Sequence, residues 1–489
     1  MVSSDTSHPK KKCPELTYSA GPSSNHFSES EVTKKIRSGE LKVAIYGLGH
    51  VGSPMASAWL RAGAHVIGVD KSPTVLENAS KGKSHLPEPG VNEAFASGLA
   101  TKRFEIYDDL EKASHHSYLK MVCVPVLFSD NNSPDFTAVK EVSSAIGKGL
   151  KNGDVVALNP SVPPGTTEDL VLPIIEKESG LKAEDDFYML YNPERIYEGR
   201  AIKDIEERYP AIISGAGPRS TEVGRIIFSL IFKKGVICVS NIRTAETEKL
   251  FEGVYRDVNI ALANELAKFC EKIGVNFWEA RDAANSQPFC HLHKPGVGVG
   301  GACIPVYPQF ILHSAEQVKG NCPITKLSRA VNDAMPAFCV KEAIKLLKIK
   351  PRTGTSFNGI TVTLLGLAFR GGVSDTRMSP TYQVIKEFQK LQVKEIRVHD
   401  PMVRADPTLV QAQNVVLSSN LNDSINGTNL IMIIADHNEY RTLTPKDIDG
   451  VPIYDGRSIL DRKIFVHSTY ATIGIGTINN MEPTNLKMA

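Results

Sequence analysis

The sequence predicts an α/β chain of two doubly wound domains joined by a long central helix. Three observations predict it. A strand, glycine turn, helix, strand and acid follow one another from Lys42 onward; a second glycine turn follows a strand at 360–365; and a Pro-free, helically periodic stretch over 246–274 lies between them. Strands alternating with helices on both sides of that stretch imply parallel sheets covered on both faces, so each half reads as Rossmann-like. The expected boundaries are a flexible N-terminal extension over 1–40, a first Rossmann-like domain over 41–245, a central helical region over 246–350 and a second Rossmann-like, C-terminal domain over 351–489.

Composition narrows the function classes. Of 489 residues, 42% are apolar and 22% charged, as in an ordinary globular protein. Lys plus Arg number 56 against 54 Asp plus Glu, a formal charge of +2, so nothing argues for nucleic acid as the partner. No apolar run approaches the roughly 18 residues of a membrane span. The eight cysteines are scattered and include no CxxC pair, which reads as reduced thiols in the cytoplasm rather than a disulfide framework. Residues 1 to about 39 are rich in Ser, Pro, Lys and His, lack an apolar h-region and read as a solvated extension with no secretory signal.

In the first unit Val43-Ala44-Ile45-Tyr46 is a short apolar strand. It enters Gly47-Leu48-Gly49-His50-Val51-Gly52, which fits G-x-G-x-x-G, and a helix follows through Met55, Ala58, Trp59 and Leu60 to Gly63. A second strand over 65–69 ends in Asp70. This order is the dinucleotide-binding fingerprint. Gly47 permits the tight turn, Gly49 lets the backbone approach a pyrophosphate, and Gly52 lets helix and strand pack closely. His50 and Val51 stand at the helix start, where unpaired amides and the positive dipole end meet phosphate. Asp70, 18 residues after Gly52, can reach ribose hydroxyls, so NAD is expected over NADP, although Lys71 beside it could meet a 2′-phosphate. Further strands are expected at 121–124 and 154–158. The second is followed by Ser161-Val162-Pro163-Pro164-Gly165-Thr166-Thr167 and a helix over 168–175.

The central stretch repeats Leu250, Val254, Val258, Ala261, Leu262, Glu265 and Leu266 at helical spacing. At 1.5 Å per residue it is roughly 43 Å long, the length of a helix that links domains or builds a dimer interface. Residues 283–300 read as a loop. The second unit opens with the strand at 360–365 and Gly366-Leu367-Ala368-Phe369-Arg370-Gly371-Gly372, and continues with strands at 395–398, 430–434 and 451–454.

At these motifs the chain resembles the UDP-glucose/GDP-mannose dehydrogenase family, the nucleotide-sugar 6-dehydrogenases, over about residues 41–465. The ordered matches are the glycine turn at 47–52, Val162-Pro163-Pro164-Gly165-Thr166-Thr167, Asn192-Pro193-Glu194-Arg195, Glu248-Lys249-Leu250, Gly298-Val299-Gly300-Gly301-Ala302-Cys303, Gly366-Leu367-Ala368-Phe369-Arg370 and Asp375-Thr376-Arg377. Tyr255-Arg256-Asp257-Val258-Asn259-Ile260-Ala261 and Lys294-Pro295-Gly296-Val297-Gly298-Val299-Gly300-Gly301 are more similar to the UDP-N-acetylmannosamine dehydrogenase branch than to the UDP-glucose branch.

The resemblance implies NAD-dependent oxidation of a UDP-sugar C6 alcohol to a uronic acid, a place in polysaccharide biosynthesis, and a homodimer or larger assembly built on the long helix. It implies two hydride transfers and a covalent thiol intermediate, which need a nucleophile, a cation for the developing oxyanion and a base for water. Cys303 is the implied nucleophile, Lys249 the oxyanion cation and Glu194 the group that activates or holds water. Ser161, in place of a family threonine, and Arg377 are implied to reach the cofactor. Glu198, Arg256, Asn259, Gly300, Gly301, Phe369 and Arg370 are implied to bind the sugar nucleotide. Cys290-His291-Leu292-His293 does not complete the spacing of a structural zinc site, so no metal is expected.

The sequence departs from the family near the chemistry. Tyr307 stands where the family has an aspartate four residues after the cysteine, and Gly253 where it has an asparagine four residues after the lysine. Asn159 replaces an acid, Phe289 an arginine and Arg370 a lysine. Three readings follow: a working four-electron dehydrogenase with an altered site, an enzyme that stops at the aldehyde or epimerises its sugar, and a binding homologue without turnover. Retention of Cys303, Lys249 and Glu194 favours the first.

Overall fold

The computed structural model describes residues 29–128, 133–348 and 357–477. The chain forms two compact units, Met1–Lys249 and Leu250–Ala489. The first is built on an eight-stranded sheet ordered Val236–Cys238, Ala211–Gly215, Tyr188–Tyr191, Val155–Leu158, Leu119–Val122, Val43–Tyr46, Val66–Val69 and Phe104–Tyr107. All neighbours pair in parallel except Tyr188–Tyr191 with Ala211–Gly215. Val155–Leu158, Leu119–Val122, Val43–Tyr46 and Val66–Val69, four successive strands of the sheet, are buried at every position, as strands covered by helices on both faces must be.

One of these strands carries a charge that displaced its expected start. It runs Leu119–Val122 rather than over 121–124, and it takes in Lys120, which is 0% exposed. The ammonium donates to Asp154 Oδ2 at 2.7 Å and to the Ser117 carbonyl at 2.6 Å. Burial nevertheless pulls it down to about 8.

The N-terminal extension also differs from its expectation. Ten residues near its end, Glu29–Ser38, are helical, with Val32 3% and Ile36 1% exposed in the core of the first unit. Two apolar residues four apart give that helix a narrow buried stripe that the surrounding Lys, Glu and Ser obscure in the composition. Residues 1–28, with the lysines at 10–12, lie outside the described residues.

The long helix spans Ile242–Ile273, 32 residues, and the boundary between the units falls within it. In the second unit this helix is pinned by a buried polar network. Asp257, 0% exposed, accepts from Arg329 Nη1 at 2.5 Å and from Asn332 Nδ2 at 2.8 Å. The second unit's sheet has seven strands in the order Val415–Ser418, Glu395–His399, Thr361–Leu365, Leu430–Ile433, Ile453–Asp455, Tyr470–Thr472 and Gly476–Thr477, all parallel except the last pair.

In both units the first strand of the fingerprint lies where strand order reverses, so each glycine turn opens at a topological switch point, where α/β sheets take ligands. Among the described residues no helix is long and apolar enough to cross a membrane.

Candidate functional site

The glycine turn of the first unit has the form its sequence requires. Gly47 has φ +94°, and its amide donates to the Val69 carbonyl at 2.7 Å. A Cβ on Gly52 would lie 1.7 Å from the Gly47 carbonyl oxygen, so only glycine lets the helix Gly52–Arg61 start this close to the turn. A Cβ on Gly49 would meet nothing within 4 Å. The turn is thus closed toward the sheet and open at Gly49, which fits a dinucleotide pyrophosphate. Asp70, half-buried at the end of Val66–Val69, accepts from the Leu48 amide at 2.8 Å and the Ser72 amide at 2.9 Å. Each of its oxygens keeps acceptor capacity for ribose hydroxyls. Lys71, the residue that could have met a 2′-phosphate, is paired with Glu141. Sequence reading missed His85, whose imidazole burial holds below its usual range, with the Asp70 charge working against that shift.

Glu194 and Glu198, four residues apart after the Asn192-Pro193 turn, line different clefts. Glu198 shares one of about 250 Å³ with Gly49, His50, Ser53, Pro54 and Glu88. Glu194 lines one of about 300 Å³ with Met55, Arg195, Tyr209 and Phe232. Glu194 Oε1 also accepts from the Ile196 amide. The chain just after Glu198 is held by Glu88, another residue with no sequence signal, whose oxygens accept from the Gly199 and Ala201 amides, each at 2.7 Å. Asn159 has a structural role of its own. Its Nδ2 donates to the carbonyl and the side-chain oxygen of Asn192, each at 3.0 Å, joining the ends of two adjacent strands. Ser161 follows it, half-buried, in the loop that leads to Gly165.

Lys249, at a helix position where lysine is ordinarily solvated, is only 6% exposed. One turn earlier on that helix, Glu246 is fully buried. It accepts from the Gly165 amide at 2.5 Å, the Thr167 amide at 2.8 Å and the Thr167 hydroxyl at 2.6 Å. Burial pushes its carboxyl up to about 7 against the downward pull of those bonds. The helical segment that starts at Thr167 is therefore capped by a residue 79 positions away rather than by Thr166.

In the second unit Cys303 is exposed, just ahead of the helix Tyr307–Gln317. The glycines before it are packed on the C-terminal domain's own turn. A Cβ on Gly300 would lie 2.7 Å from the Met378 carbonyl oxygen and 2.8 Å from Phe369 Cβ. The Gly301 amide donates to the Arg377 carbonyl at 2.9 Å. Gly300, Gly301, Phe369 and Arg377 are thereby brought together, and the Arg370 guanidinium lies 5.6 Å from the Phe369 ring centroid. Arg377 is bidentate to Asp375, with contacts of 2.6 to 3.0 Å. On the long helix, Arg256 is exposed and Asn259 donates to the Tyr255 carbonyl at 3.2 Å.

The Cys290–His293 run packs locally. His293 stacks edge-on against Tyr255 and His291, and burial pulls it down to about 4.

The second glycine turn differs from the first in its acid. Asp400, 0% exposed, accepts from the amides of Leu367 and Ala368 at 2.8 Å, Met402 at 2.8 Å and Val403 at 3.2 Å, and contacts His437 Nε2 at 3.1 Å. Burial alone would raise this carboxyl; the hydrogen bonds from His437 and the amides together hold it below its ordinary value.

The family models of the UDP-glucose/GDP-mannose dehydrogenases match in order: the NAD binding domain over 41–232, the central domain over 243–334 and the UDP binding domain over 363–462. The UDP-N-acetyl-D-mannosamine dehydrogenase of Pyrococcus horikoshii is 32% identical over 427 residues, 86% of this chain and 96% of that protein. The NDP-N-acetyl-D-galactosaminuronic acid dehydrogenase of Ralstonia nicotianae is 29% identical over 86% of this chain and 96% of its own. The solved structure of the Pyrococcus horikoshii UDP-D-ManNAc dehydrogenase superposes with a TM-score of 0.80 at 29% identity, covering 89% of this chain and 100% of that one.

Proposed function

The chain belongs to the UDP-glucose/GDP-mannose dehydrogenase family, and from that membership we propose which sugar it oxidises and which residues do the work. It is an NAD-dependent nucleotide-sugar dehydrogenase. Its substrate, in this reading, is a UDP-N-acetylhexosamine such as UDP-N-acetylmannosamine, taken from C6 alcohol to carboxylate. The observation that carries the sugar is the similarity to a UDP-N-acetyl-D-mannosamine dehydrogenase over almost the whole of that enzyme's length.

NAD, when bound, would supply the hydride acceptor for the two oxidations. The 47–52 turn and Asp70 hold the cofactor, with Ser161 and Arg377 as further contacts. Arg256, Asn259, Phe369 and Arg370 bind the sugar nucleotide. Cys303 adds to the C6 aldehyde: a C–S bond forms, the carbonyl π pair moves to oxygen, and that oxygen ends with the thiol's proton. After the second oxidation the thioester takes up water, the C–S bond breaks, and acid and thiol are released. Lys249 offers positive charge to the oxygen that becomes anionic, and Glu194 accepts a proton from the water. Exposure of Cys303 and burial of Lys249 support these roles, since a nucleophile must be reachable and a desolvated cation acts more strongly.

The assembly is a homodimer or a multiple of it, supported by the outward apolar residues Phe251, Tyr255, Leu262 and Phe269 on the long helix. The compartment is the cytoplasm, supported by free thiols at every described cysteine.

A second reading, in which oxidation stops at the aldehyde, is favoured by one observation. Tyr307, buried at the start of its helix, supplies no negative charge to orient a water. The deciding experiment counts NADH formed per sugar over a panel of UDP-sugars. Two per UDP-N-acetylmannosamine supports full oxidation, one supports the aldehyde reading, and binding without turnover rejects both.

A further inference from the structure

Gly253 and Tyr307 are two halves of one contact. Gly253 lies in the helix Ile242–Ile273, and Tyr307 opens the helix Tyr307–Gln317. A Cβ on Gly253 would lie 2.3 Å from Tyr307 Cδ2 and 3.0 Å from its Cβ and Cγ. The ring therefore rests directly on the bare backbone of the long helix, and Tyr307 is only 6% exposed. Glycine inside a helix is destabilising relative to alanine, so its presence there calls for a reason. Gly253 is not among the glycines with positive φ. The seat for the ring is the structural reason for glycine here.

Tyr307 is tied by its backbone to the exposed thiol-bearing residue. The amides of Val306 and Tyr307 both donate to the Cys303 carbonyl, at 3.1 and 3.0 Å. On the other side of Cys303, Gly300 and Gly301 are fixed against Phe369, Met378 and the Arg377 carbonyl. The short turn carrying Cys303 is thus anchored at both ends, one end through the tyrosine ring.

We propose that Tyr307, seated on Gly253, is a positioning residue that holds the Cys303 sulfur for attack on the sugar aldehyde. This rests on the reading of Cys303 as the nucleophile. The step it serves is an addition with no net redox change: sulfur bonds to the aldehyde carbon, the π pair moves to the carbonyl oxygen, and the thiol proton ends on that oxygen. Correct placement of a reacting atom is worth a great deal, and a displacement of about 1 Å can cost on the order of a hundredfold in rate.

The test uses the full chain with UDP-N-acetylmannosamine and NAD, and compares Gly253→Ala, Tyr307→Ala, the double variant Gly253→Ala/Tyr307→Ala, and Tyr307→Phe. Gly253→Ala and Tyr307→Ala are expected to lower kcat by about tenfold to a hundredfold while KM for NAD stays near the parent value. The double variant is expected to be no worse than Tyr307→Ala, because the methyl then has nothing to strike. Tyr307→Phe keeps the ring and restores kcat.

The rate of Cys303 alkylation by iodoacetamide, followed by mass spectrometry in the same four proteins, is expected to change in the two single alanine variants and to return to the parent rate in Tyr307→Phe. Parental kcat and alkylation in Gly253→Ala would overturn the proposal. So would a Tyr307→Phe protein as impaired as Tyr307→Ala, since that would place the role in the hydroxyl. Failure of the nucleophile reading is a separate outcome: it shows as acid formation that survives Cys303→Ala.

Discussion

The carboxylate of Glu246 closes the helical segment that begins at Thr167, accepting both the Thr167 amide and its hydroxyl across 79 residues of chain. A buried acid at a helix start meets two opposed demands. The amides favour its charged form, and burial favours its neutral one. Burial prevails, and the group titrates at about 7 rather than at its ordinary 4.5.

Stability should therefore depend on pH through this residue. Between 4.5 and about 7 the folded chain holds a proton that the unfolded chain has released, so Glu246 contributes stability that is complete below 4.5 and lost as pH rises through about 7. Urea unfolding at intervals across that window is expected to show a decline that Glu246→Gln reduces by about 1–3 kcal/mol, part of the remainder coming from Glu271, which burial also pushes up to about 7. An identical slope in the two proteins would remove Glu246 as its source.

Cofactor choice should turn on Asp70. Asp70→Ala removes the acceptor beside the turn and is expected to weaken NAD binding by about tenfold or more, as the loss of a hydrogen bond to a charged group does. Because Lys71 is paired with Glu141, Glu141→Ala is expected to improve NADP binding by a few-fold and to leave NAD unchanged. Calorimetric titration of both cofactors into the three proteins checks this. Tighter binding of NADP than NAD by the parent would contradict it.

Cys303→Ala should abolish acid formation and leave the NAD dissociation constant unchanged, because the thiol is not among the groups proposed to hold the cofactor. The products are separated by charge on an anion-exchange column, where the acid elutes later than the alcohol.

Assembly should respond to the outward face of the long helix. Phe269 is 54% and Leu262 42% exposed. Leu262→Lys with Phe269→Lys is expected to halve the particle mass in light scattering at micromolar protein, and the parent is expected to run as a dimer or larger. A parent that scatters as a monomer would reject the interface.

The parts of the site legible in the sequence are those written in consecutive residues. The turn at 47–52 and the loop ending at Cys303 depend on glycines at fixed spacing, because turns and close approaches are local demands. The long helix was legible for the same reason: its apolar repeat persists over enough turns to survive charged interruptions.

What was not legible is held by pairs distant in the chain. Glu88 reaches Ala201 across 113 residues and Glu246 reaches Gly165 across 81, and no spacing rule points from either acid to its amides. Lys120 hid the start of a central strand because its partner Asp154 lies on the way into the next strand. The seat of Tyr307 on Gly253 was invisible in a related way. Each residue is a plain departure from a family pattern when taken alone, and only their packing makes them one feature.

The twin acids Asp70 and Asp400 lead to a matter of stoichiometry. Both end the second strand of a fingerprint and both accept an amide of their own glycine turn, yet Asp70 keeps unfilled lone pairs at a half-open edge, whereas Asp400 is sealed among four amides and a histidine. A dinucleotide arriving at the second turn would find its ribose acceptor already spent on the loop. The duplicated architecture is therefore deaf to the cofactor at one of its two addresses, and each chain should saturate at a single equivalent of NAD, leaving the other address free for a nucleotide read by different groups.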